Sequence, residues 1–325
     1  MTILITGGAG YIGSHMVKLL RDQQIDCLVI DDFSTGYKEA LLGATYIDGD
    51  IGDPRLLDEI FIKNNITSVV HFASKISVSE SVQNPSEYYT NNVAKSLVLL
   101  RKMSEYGISQ LVFSSTAAIF GSPNGTTISE ATSINPINPY GRTKAFVEQI
   151  LEDFDKSYGL KSVCLRYFNA AGADPSGLIG ERHNPETHLI PLILQVAAGR
   201  RESIIVNGID YPTKDGTCVR DYVHVVDLCQ AHLLALNHLK LGGESRRYNL
   251  GSGHGYSIYE IIEAAKKVTG MAINVSLGQR RTGDPPTLVA NSDKIKTELG
   301  WNPSRTSIDT IVEDAWRWEQ KWPWY

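Results

Sequence analysis

Thr2-Ile3-Leu4-Ile5-Thr6-Gly7-Gly8-Ala9-Gly10-Tyr11-Ile12-Gly13-Ser14-His15-Met16-Val17-Lys18-Leu19-Leu20 passes from a short apolar run through clustered glycines into a helical pattern. It reads as strand, tight turn and helix. The glycines meet two spacings at once, Gly7-x-x-Gly10-x-x-Gly13 and Gly8-x-Gly10-x-x-Gly13. Glycine permits the turn, admits a pyrophosphate close to the backbone, and lets the helix pack tightly on the strand. The helix N-terminus then offers N–H donors and the positive end of its dipole to phosphates. A glycine turn alone also fits a generic α/β protein, so the neighbouring segments decide. The next apolar run, Cys27-Leu28-Val29-Ile30, ends in Asp31-Asp32-Phe33, with Asp31 18 residues beyond Gly13. A carboxylate at the end of a second strand binds both adenosine ribose hydroxyls and repels a 2′-phosphate, which selects NAD over NADP.

The alternation continues outward. The pattern predicts a strand over Ala44–Ile47 leading to Asp50-Ile51, where Asp50 is placed to accept from the adenine amino group. Asp53 caps a helix predicted over Pro54–Asn64, and a strand over Ser68–Phe72 ends in Phe72-Ala73-Ser74, beneath the cofactor. Ser86–Tyr106 has helical spacing and carries Asn91-Asn92; Gln110–Phe113 is a strand ending in Ser114-Ser115-Thr116. A helix over Pro139–Tyr158 precedes a strand over Ser162–Tyr167 that ends in Phe168-Asn169. Strands alternating with helices predict an α/β fold, a Rossmann-type doubly wound parallel sheet whose ligands gather beyond the carboxyl ends of the strands.

At that edge falls Asn138-Pro139-Tyr140-Gly141-Arg142-Thr143-Lys144. Asn138 is a good N-cap, and Pro139 suits the first helical position. Tyr140 and Lys144 then share one face, roughly 6 Å apart at the backbone. A free tyrosine titrates near pH ~10 and is a poor base at neutrality. A neighbouring ammonium favours the phenolate and brings the group toward useful proton transfer. By itself the pair also fits an exposed helix that happens to carry a tyrosine. The convergence of Thr116, Tyr140 and Asn169 on one sheet edge favours chemistry.

After Ala170 glycines and prolines become frequent and the alternation loosens. We expect an NAD-binding domain over residues 1–169 and a smaller, predominantly substrate-binding α/β domain over 170–325, with room for the chain to cross back between them. Arg220 and Arg281 stand apart from basic runs; opposite a dinucleotide, two arginines grip a diphosphate bidentately, as a nucleotide-linked substrate requires, although a pair of surface salt bridges fits too. His183 and His188 flank Asn184-Pro185-Glu186-Thr187, but the spacing is not helical and Pro185 interrupts it, so no metal is expected. Trp316, Trp318, Trp322 and Trp324 near the C-terminus suggest core or rim packing ahead of a partner site.

Composition narrows the class. A chain of 325 residues, 42% hydrophobic and 21% charged, can bury a large core. A net charge of -5 leaves no basic footprint for nucleic acid. No apolar run reaches the length of a membrane span, and the N-terminus lacks the features of a secretory signal. Cys27, Cys164, Cys218 and Cys229 lie far apart without metal-like spacing and read as reduced, which places the protein in the cytoplasm.

Together these motifs resemble the extended short-chain dehydrogenase/reductase family over nearly the whole chain, and within it the nucleotide-sugar epimerases. The resemblance rests on Thr6–His15, Ser114-Ser115-Thr116, Tyr140-x-x-x-Lys144 and Arg166-Tyr167-Phe168-Asn169. In the second half it rests on Asp210–Thr217, Val219-Arg220-Asp221-Tyr222 and Arg280-Arg281-Thr282-Gly283-Asp284. It implies an isomerase of nucleotide-sugar metabolism that inverts C4 of a UDP-hexose by transient hydride transfer to tightly held NAD. It implies NAD contacts from Gly7, Gly10, Tyr11, Ile12, Gly13, Asp31, Phe33, Asp50, Ile51, Phe72, Ala73, Asn91, Ser114, Tyr140, Lys144 and Tyr167. Substrate contacts are implied for Thr116, Tyr140, Asn169, Leu189, Arg220, Arg281 and Asp284, and a homodimer joined through the helices Ser86–Tyr106 and Pro139–Tyr158. In the implied reaction Tyr140 takes the proton of the sugar 4-hydroxyl, Thr116 bridges, and Lys144 tunes the tyrosine and fixes the nicotinamide ribose.

Three departures qualify the match. Phe72-Ala73-Ser74-Lys75 places a lysine one position earlier than the family pattern, so Lys75 is not assigned to the cofactor. Phe120 replaces a common tyrosine. Leu288 stands where members restricted to plain sugars carry a bulky tyrosine, which leaves room for an N-acetyl group and predicts turnover of UDP-N-acetylglucosamine beside UDP-glucose. A related 4,6-dehydratase needs an acid and a base after the threonine; Ala117-Ala118 supply neither. A UDP-glucuronate 4-epimerase stays closer, and a non-catalytic NAD sensor would need only the glycine loop.

Overall fold

Thr2–Thr6 alternates its side chains between two buried faces: Ile3 and Ile5 point into one apolar cluster and Leu4 into another. That period-2 pattern, apolar on both sides, belongs to a strand covered by helices front and back. The computed structural model describes residues 2–323 except Asn124, Thr126, Arg281–Gly283 and Trp322. The first half comprises β1 (Thr2–Thr6), α1 (Tyr11–Asp22), β2 (Cys27–Asp31), β3 (Tyr46–Asp48), α2 (Pro54–Lys63), β4 (Ile66–His71) and α3 (Val78–Gln83). It continues through α4 (Pro85–Tyr88), α5 (Lys95–Glu105), β5 (Gln110–Thr116), β6 (Thr127–Ile128), α6 (Pro139–Tyr158), β7 (Lys161–Tyr167) and β8 (Asn169–Ala171). Then follow α7 (Leu189–Ala197), β9 (Ile204–Asn207), β10 (Val219–His224), α8 (Val225–Lys240), β11 (Arg246–Leu250) and β12 (Gly255–Ser257). The last elements are α9 (Ile258–Thr269), β13 (Val275–Gly278), β14 (Thr287–Ala290), α10 (Asp293–Leu299) and α11 (Ile308–Glu319).

Seven parallel strands form the main sheet in the order β11-β7-β5-β4-β1-β2-β3. The order reverses on either side of β1, the doubly wound topology expected from the sequence. Met16, Val17 and Leu20 of α1 and Leu228 and Leu236 of α8 cover one face; Leu57, Leu99, Val147 and Leu151 from α2, α5 and α6 cover the other. β11 brings residues 246–250 back to the edge of this sheet beside β7, in the register Leu250↔Tyr167. A smaller sheet, β12-β10-β14-β6 with β8 beside β10, draws β6 and β8 from the first half, and a β13–β9 pair lies in the second. Their core joins α7, α9 and α11 through Ile193, Ile261 and Ile311.

One expectation changes in detail, and one holds for the described residues. The stretch Ser86–Tyr106 is helical but not uniformly so: Tyr89–Ala94, between α4 and α5, is a π turn. Asn92, inside it, uses its amide to bond Lys75 and Thr143, and such turns often re-aim a side chain at a functional site. The tail packs inward: Trp318 is buried and its indole donates to the Glu181 carbonyl at 2.9 Å, while Trp316 packs on the second-half core. Trp322 and Trp324 lie outside the described residues. Among the described residues no helix is long and apolar enough to cross a membrane.

Three buried histidines set the acid limit of this fold. Burial lowers His15 and His232 to about 4 and His71 to about 3. Below the ordinary histidine value of about 6.5 the unfolded chain therefore binds protons that the folded chain refuses, and folding stability falls as pH drops. Each such group removes about 1.4 kcal/mol per pH unit within its window. Urea unfolding midpoints should decline steeply between pH 6.5 and 4; a level profile across that interval would contradict the neutral burial of these rings.

Candidate active site

The glycine loop connects β1 to α1. A Cβ on Gly13 would lie 2.1 Å from the Gly7 carbonyl oxygen, so only glycine lets the first turn of the helix approach the strand this closely. Gly10 sits at the N-cap with no side-chain cap of its own, which leaves first-turn N–H groups directed toward an anion. Asp31, buried at the end of β2, accepts from Ala9 N at 2.8 Å through one oxygen and from Phe33 N at 2.9 Å through the other. Burial raises its carboxyl above the usual range, against the pull of those two N–H groups. Each carboxylate oxygen keeps a lone pair, so the group retains the capacity to bind a ribose diol.

The other candidate cofactor residues ring the same edge. Asp50 pairs with Lys95 at 2.6 Å and accepts from Gly52 N at 2.7 Å, so its carboxylate is already engaged. Ile51 is buried, Ile12 packs on the main core, and Phe72 meets the His232 ring at 4.8 Å. Ala73 follows β4 and donates its N–H to Thr6 O at 3.1 Å. Asn91 donates to Asn92 Oδ1 at 3.1 Å within the π turn. The Tyr11 hydroxyl donates to the Gly172 carbonyl at 2.6 Å, tying the loop to the second half of the chain. Lys75 pairs instead with Glu80 and Glu87, at 3.4 and 3.5 Å.

At the ends of β5 and β7, Ser114 is the meeting point. Its hydroxyl accepts from the Tyr167 hydroxyl and its carbonyl accepts from Lys144 Nζ at 2.8 Å. Thr116 caps the 3₁₀ turn Ala117–Phe120 by accepting from Ala118 N at 3.1 Å. Asn138 caps α6 through Gly141 N at 2.8 Å, and Pro139 opens the helix, as the sequence predicts. A Cβ on Gly141 would lie 2.5 Å from the Ala118 carbonyl oxygen, so a glycine beside Tyr140 is what brings the helix start onto the turn that carries Thr116.

The charges here depart from expectation in one respect. Burial raises the Tyr140 phenol above its ordinary value, with the Thr116 hydrogen bond opposing. Burial also pulls the Lys144 ammonium down to about 7, with Glu148 opposing. Desolvation therefore dominates both groups, and the charge partner that opposes it at Lys144 is Glu148, not the tyrosine that the spacing suggested. Lys144 directs its ammonium at the Ser114 carbonyl and over the Phe113 ring, 4.9 Å from the centroid.

Three of the candidate substrate residues, Asn169, Arg220 and Leu288, come from the small sheet. β10 pairs in parallel with β14, placing Arg220 opposite Leu288, and the Arg220 guanidinium forms an ion pair with Asp284. Asn169 pairs across from Tyr222 and donates to the Asp221 carbonyl at 2.9 Å. Leu189 is the first residue of α7. Leu288 packs with Phe168 against Ala117, Ile119 and Phe120, beside the turn that follows Thr116. Arg281 lies outside the described residues. Two organising residues escaped the sequence reading. Asp221, fully buried, accepts from Ser252, Gly253 and Ala290 backbone N–H groups and so fixes the strands around Arg220. Asn92 clamps the segment after β4 to α6. An acid in the strand-like stretch Val219–Val223, and two asparagines within a helix, were the available signals.

A glycine-loop dinucleotide cradle and a Thr/Tyr/Lys set on one sheet edge define a nucleotide-dependent α/β enzyme. The chain belongs to the NAD dependent epimerase/dehydratase family, whose model matches residues 3–251. It is 50% identical over 323 residues to the UDP-glucose 4-epimerase of Halalkalibacterium halodurans, covering 99% of this chain and 97% of that protein. The crystal structure of UDP-glucose 4-epimerase from Brucella ovis in complex with NAD superposes with a TM-score of 0.95 at 45% identity, covering 97% of each chain. That of the Bifidobacterium longum enzyme with NAD+ and UDP gives 0.94 at 38% identity, covering 100% of this chain and 99% of the other.

Proposed function

We propose that this chain is an NAD-dependent isomerase that inverts C4 of a UDP-hexose, interconverting UDP-glucose and UDP-galactose. The observation that carries the reading is the Thr116–Tyr140–Lys144 set, followed by Ala117-Ala118, at the strand ends beside the glycine loop. Two methyl groups transfer no protons, so the site provides for proton exchange at one carbon and for no elimination. The cradle fits the cofactor: Gly10 and the first turn of α1 suit the pyrophosphate, Asp31 the adenosine ribose, and Tyr167, Ser114 and Lys144 the nicotinamide end. Bound NAD supplies a hydride acceptor and donor for C4 together with a fixed positive charge.

The residues of the chain do the rest. Tyr140 removes the proton of the 4-hydroxyl and later returns one at the opposite face of the sugar, with Thr116 holding the hydroxyl between them. Lys144, anchored on Ser114, orients the ribose. Arg220 and Arg281 hold the diphosphate, with Asp284 setting the Arg220 fork and Asn169 and Leu189 lining the approach. Affinity resides in the nucleotide, which frees the sugar to turn. The same reading joins two copies through α5 and α6, where Leu97 and Phe146 are exposed, and places the protein in the cytoplasm, in keeping with its four unbonded cysteines.

Leu288 extends the proposal to N-acetylated sugars. The protein, incubated without added NAD, should equilibrate UDP-glucose with UDP-galactose and UDP-N-acetylglucosamine with its C4 epimer, and leave UDP-glucuronate unchanged, with no net NADH. Proton NMR of the anomeric signals reads all three together. Net NADH, or epimerisation of the glucuronate alone, would overturn the assignment; turnover confined to the plain sugar would remove the role given to Leu288.

A further inference from the structure

The loop between β8 and α7 gathers Glu181, His183, Glu186 and His188, with one ligand atom from each within 4.8 Å of the others. Their spacing in the chain is not helical, which is why the sequence argues against a metal; the loop achieves by folding what a helix would have done by periodicity. The separations carry the point. His183 Nδ1 lies 3.3 Å from Glu181 Oε1 and 3.5 Å from Glu186 Oε2, and His188 Nδ1 lies 2.7 Å from Glu181 Oε1 and 3.3 Å from Glu186 Oε1. Three of these four exceed a normal N–H···O length. Those three lie near the roughly 3.4 Å edge of a tetrahedron with ligands ~2.0–2.1 Å from a central zinc, and small side-chain adjustments from the 2.7 Å pair and the up to 4.8 Å span would close the set on an ion. His183 Nδ1 is buried and makes no hydrogen bond of normal geometry among the described residues.

The surroundings are those of a supported site. Glu186 Oε1 accepts from Thr187 N at 2.7 Å and His188 N at 2.8 Å, which orients the carboxylate. The Trp318 indole fixes the Glu181 carbonyl. Both glutamates are nearly buried while His188 is half exposed, which provides an entry path. Two carboxylates balance the charge of a divalent cation, and the mixed imidazole–carboxylate set suits zinc better than calcium or magnesium.

We propose that Glu181, His183, Glu186 and His188 form a structural Zn2+ site. Four protein ligands leave no open position, so the ion cross-links and does not catalyse. It ties the N-terminus of α7, beside Leu189, to the glycine loop, where the Tyr11 ring stands 6.3 Å from that of His183. The test uses the untagged full chain, stripped with a chelator and titrated with Zn2+ against a chromophoric competitor. One zinc per chain should bind and survive gel filtration, measured by elemental analysis. His183→Gln and Glu186→Gln should each weaken binding more than about 10-fold, at least the loss expected for an outer-shell partner. Co2+ in the wild-type chain should give the intense visible bands of a tetrahedral ion, which keeps the test decisive if a variant fails to fold. Failure of zinc to co-elute, unaltered binding by both variants, or the weak bands of octahedral cobalt would overturn the site and leave two His–Glu ion pairs in its place. These readouts are of binding, so they stand or fall apart from the C4 reaction.

Discussion

Tyr140→Phe loses turnover by about 10²–10⁴-fold, the usual worth of a positioned acid–base group, while the fold and the retained NAD survive. The selectivity follows from what the phenol hydroxyl touches. Its hydrogen-bond partner is Thr116, and the ring remains to fill the same partly buried space at the start of α6. The glycine loop, Asp31 and the Ser114–Lys144–Tyr167 contacts do not depend on that oxygen. Because burial raises the phenol, Tyr140 in the protein is a reluctant acid and, once ionised, a strong base. Removing the oxygen therefore lowers kcat far more than it changes binding of the nucleotide. The measurement is the rate of UDP-glucose equilibration, together with NAD content after gel filtration. A variant that keeps more than about a tenth of the wild-type rate would take Tyr140 out of the proton transfer. One that loses NAD along with activity would make it a cofactor ligand first, and a sensor lacking catalysis would show no change in NAD occupancy or in rate.

What made Tyr140 readable in advance was local. Asn138 and Pro139 open α6, and the helix spans the predicted Pro139–Tyr158. The strand–loop–helix at Thr2–Asp22 was legible for the same reason, since cap residues and glycine spacing act within a few residues of themselves. The small sheet was not. β6, β8 and β12 are two or three residues long, too short to carry a period. The neighbours that matter there, such as Arg220 beside Leu288, are set by the course of long loops. Charge was the hardest quantity to read. Tyr140 and Lys144 look like an isolated attractive pair in sequence, and only burial shows which term dominates. Glu148 posed the same difficulty: four residues after Lys144 on a helix rich in charge, it looks like one more exposed acid.

Glu148 is instead the polar centre of the main core. Its carboxylate receives Arg166 Nη2 at 2.6 Å and Nε at 3.0 Å, and the Ser115 hydroxyl at 2.6 Å, with Arg247 3.4 Å away. The side chains of Glu148 and Arg166 are 1% and 2% exposed. Since Ser115 pairs with Arg166 in the sheet, one carboxylate fastens α6 to β5 and β7 immediately before Thr116 and Tyr167. Glu148→Ala leaves the Arg166 guanidinium buried without its counter-charge, and breaking such a pair costs about 3–5 kcal/mol. That is a large share of the about 5–15 kcal/mol that a domain has in hand. Urea unfolding should register the loss in full. Arg166→Met combined with Glu148→Leu removes both charges together and should be less destabilised than Glu148→Ala alone, because the penalty lies in the orphaned partner more than in the missing bond. If Glu148→Ala costs under about 1 kcal/mol, the network is no better than a surface pair. In that case the placement of Thr116 beside Tyr140 rests on the Gly141–Ala118 contact and the Lys144–Ser114 hydrogen bond.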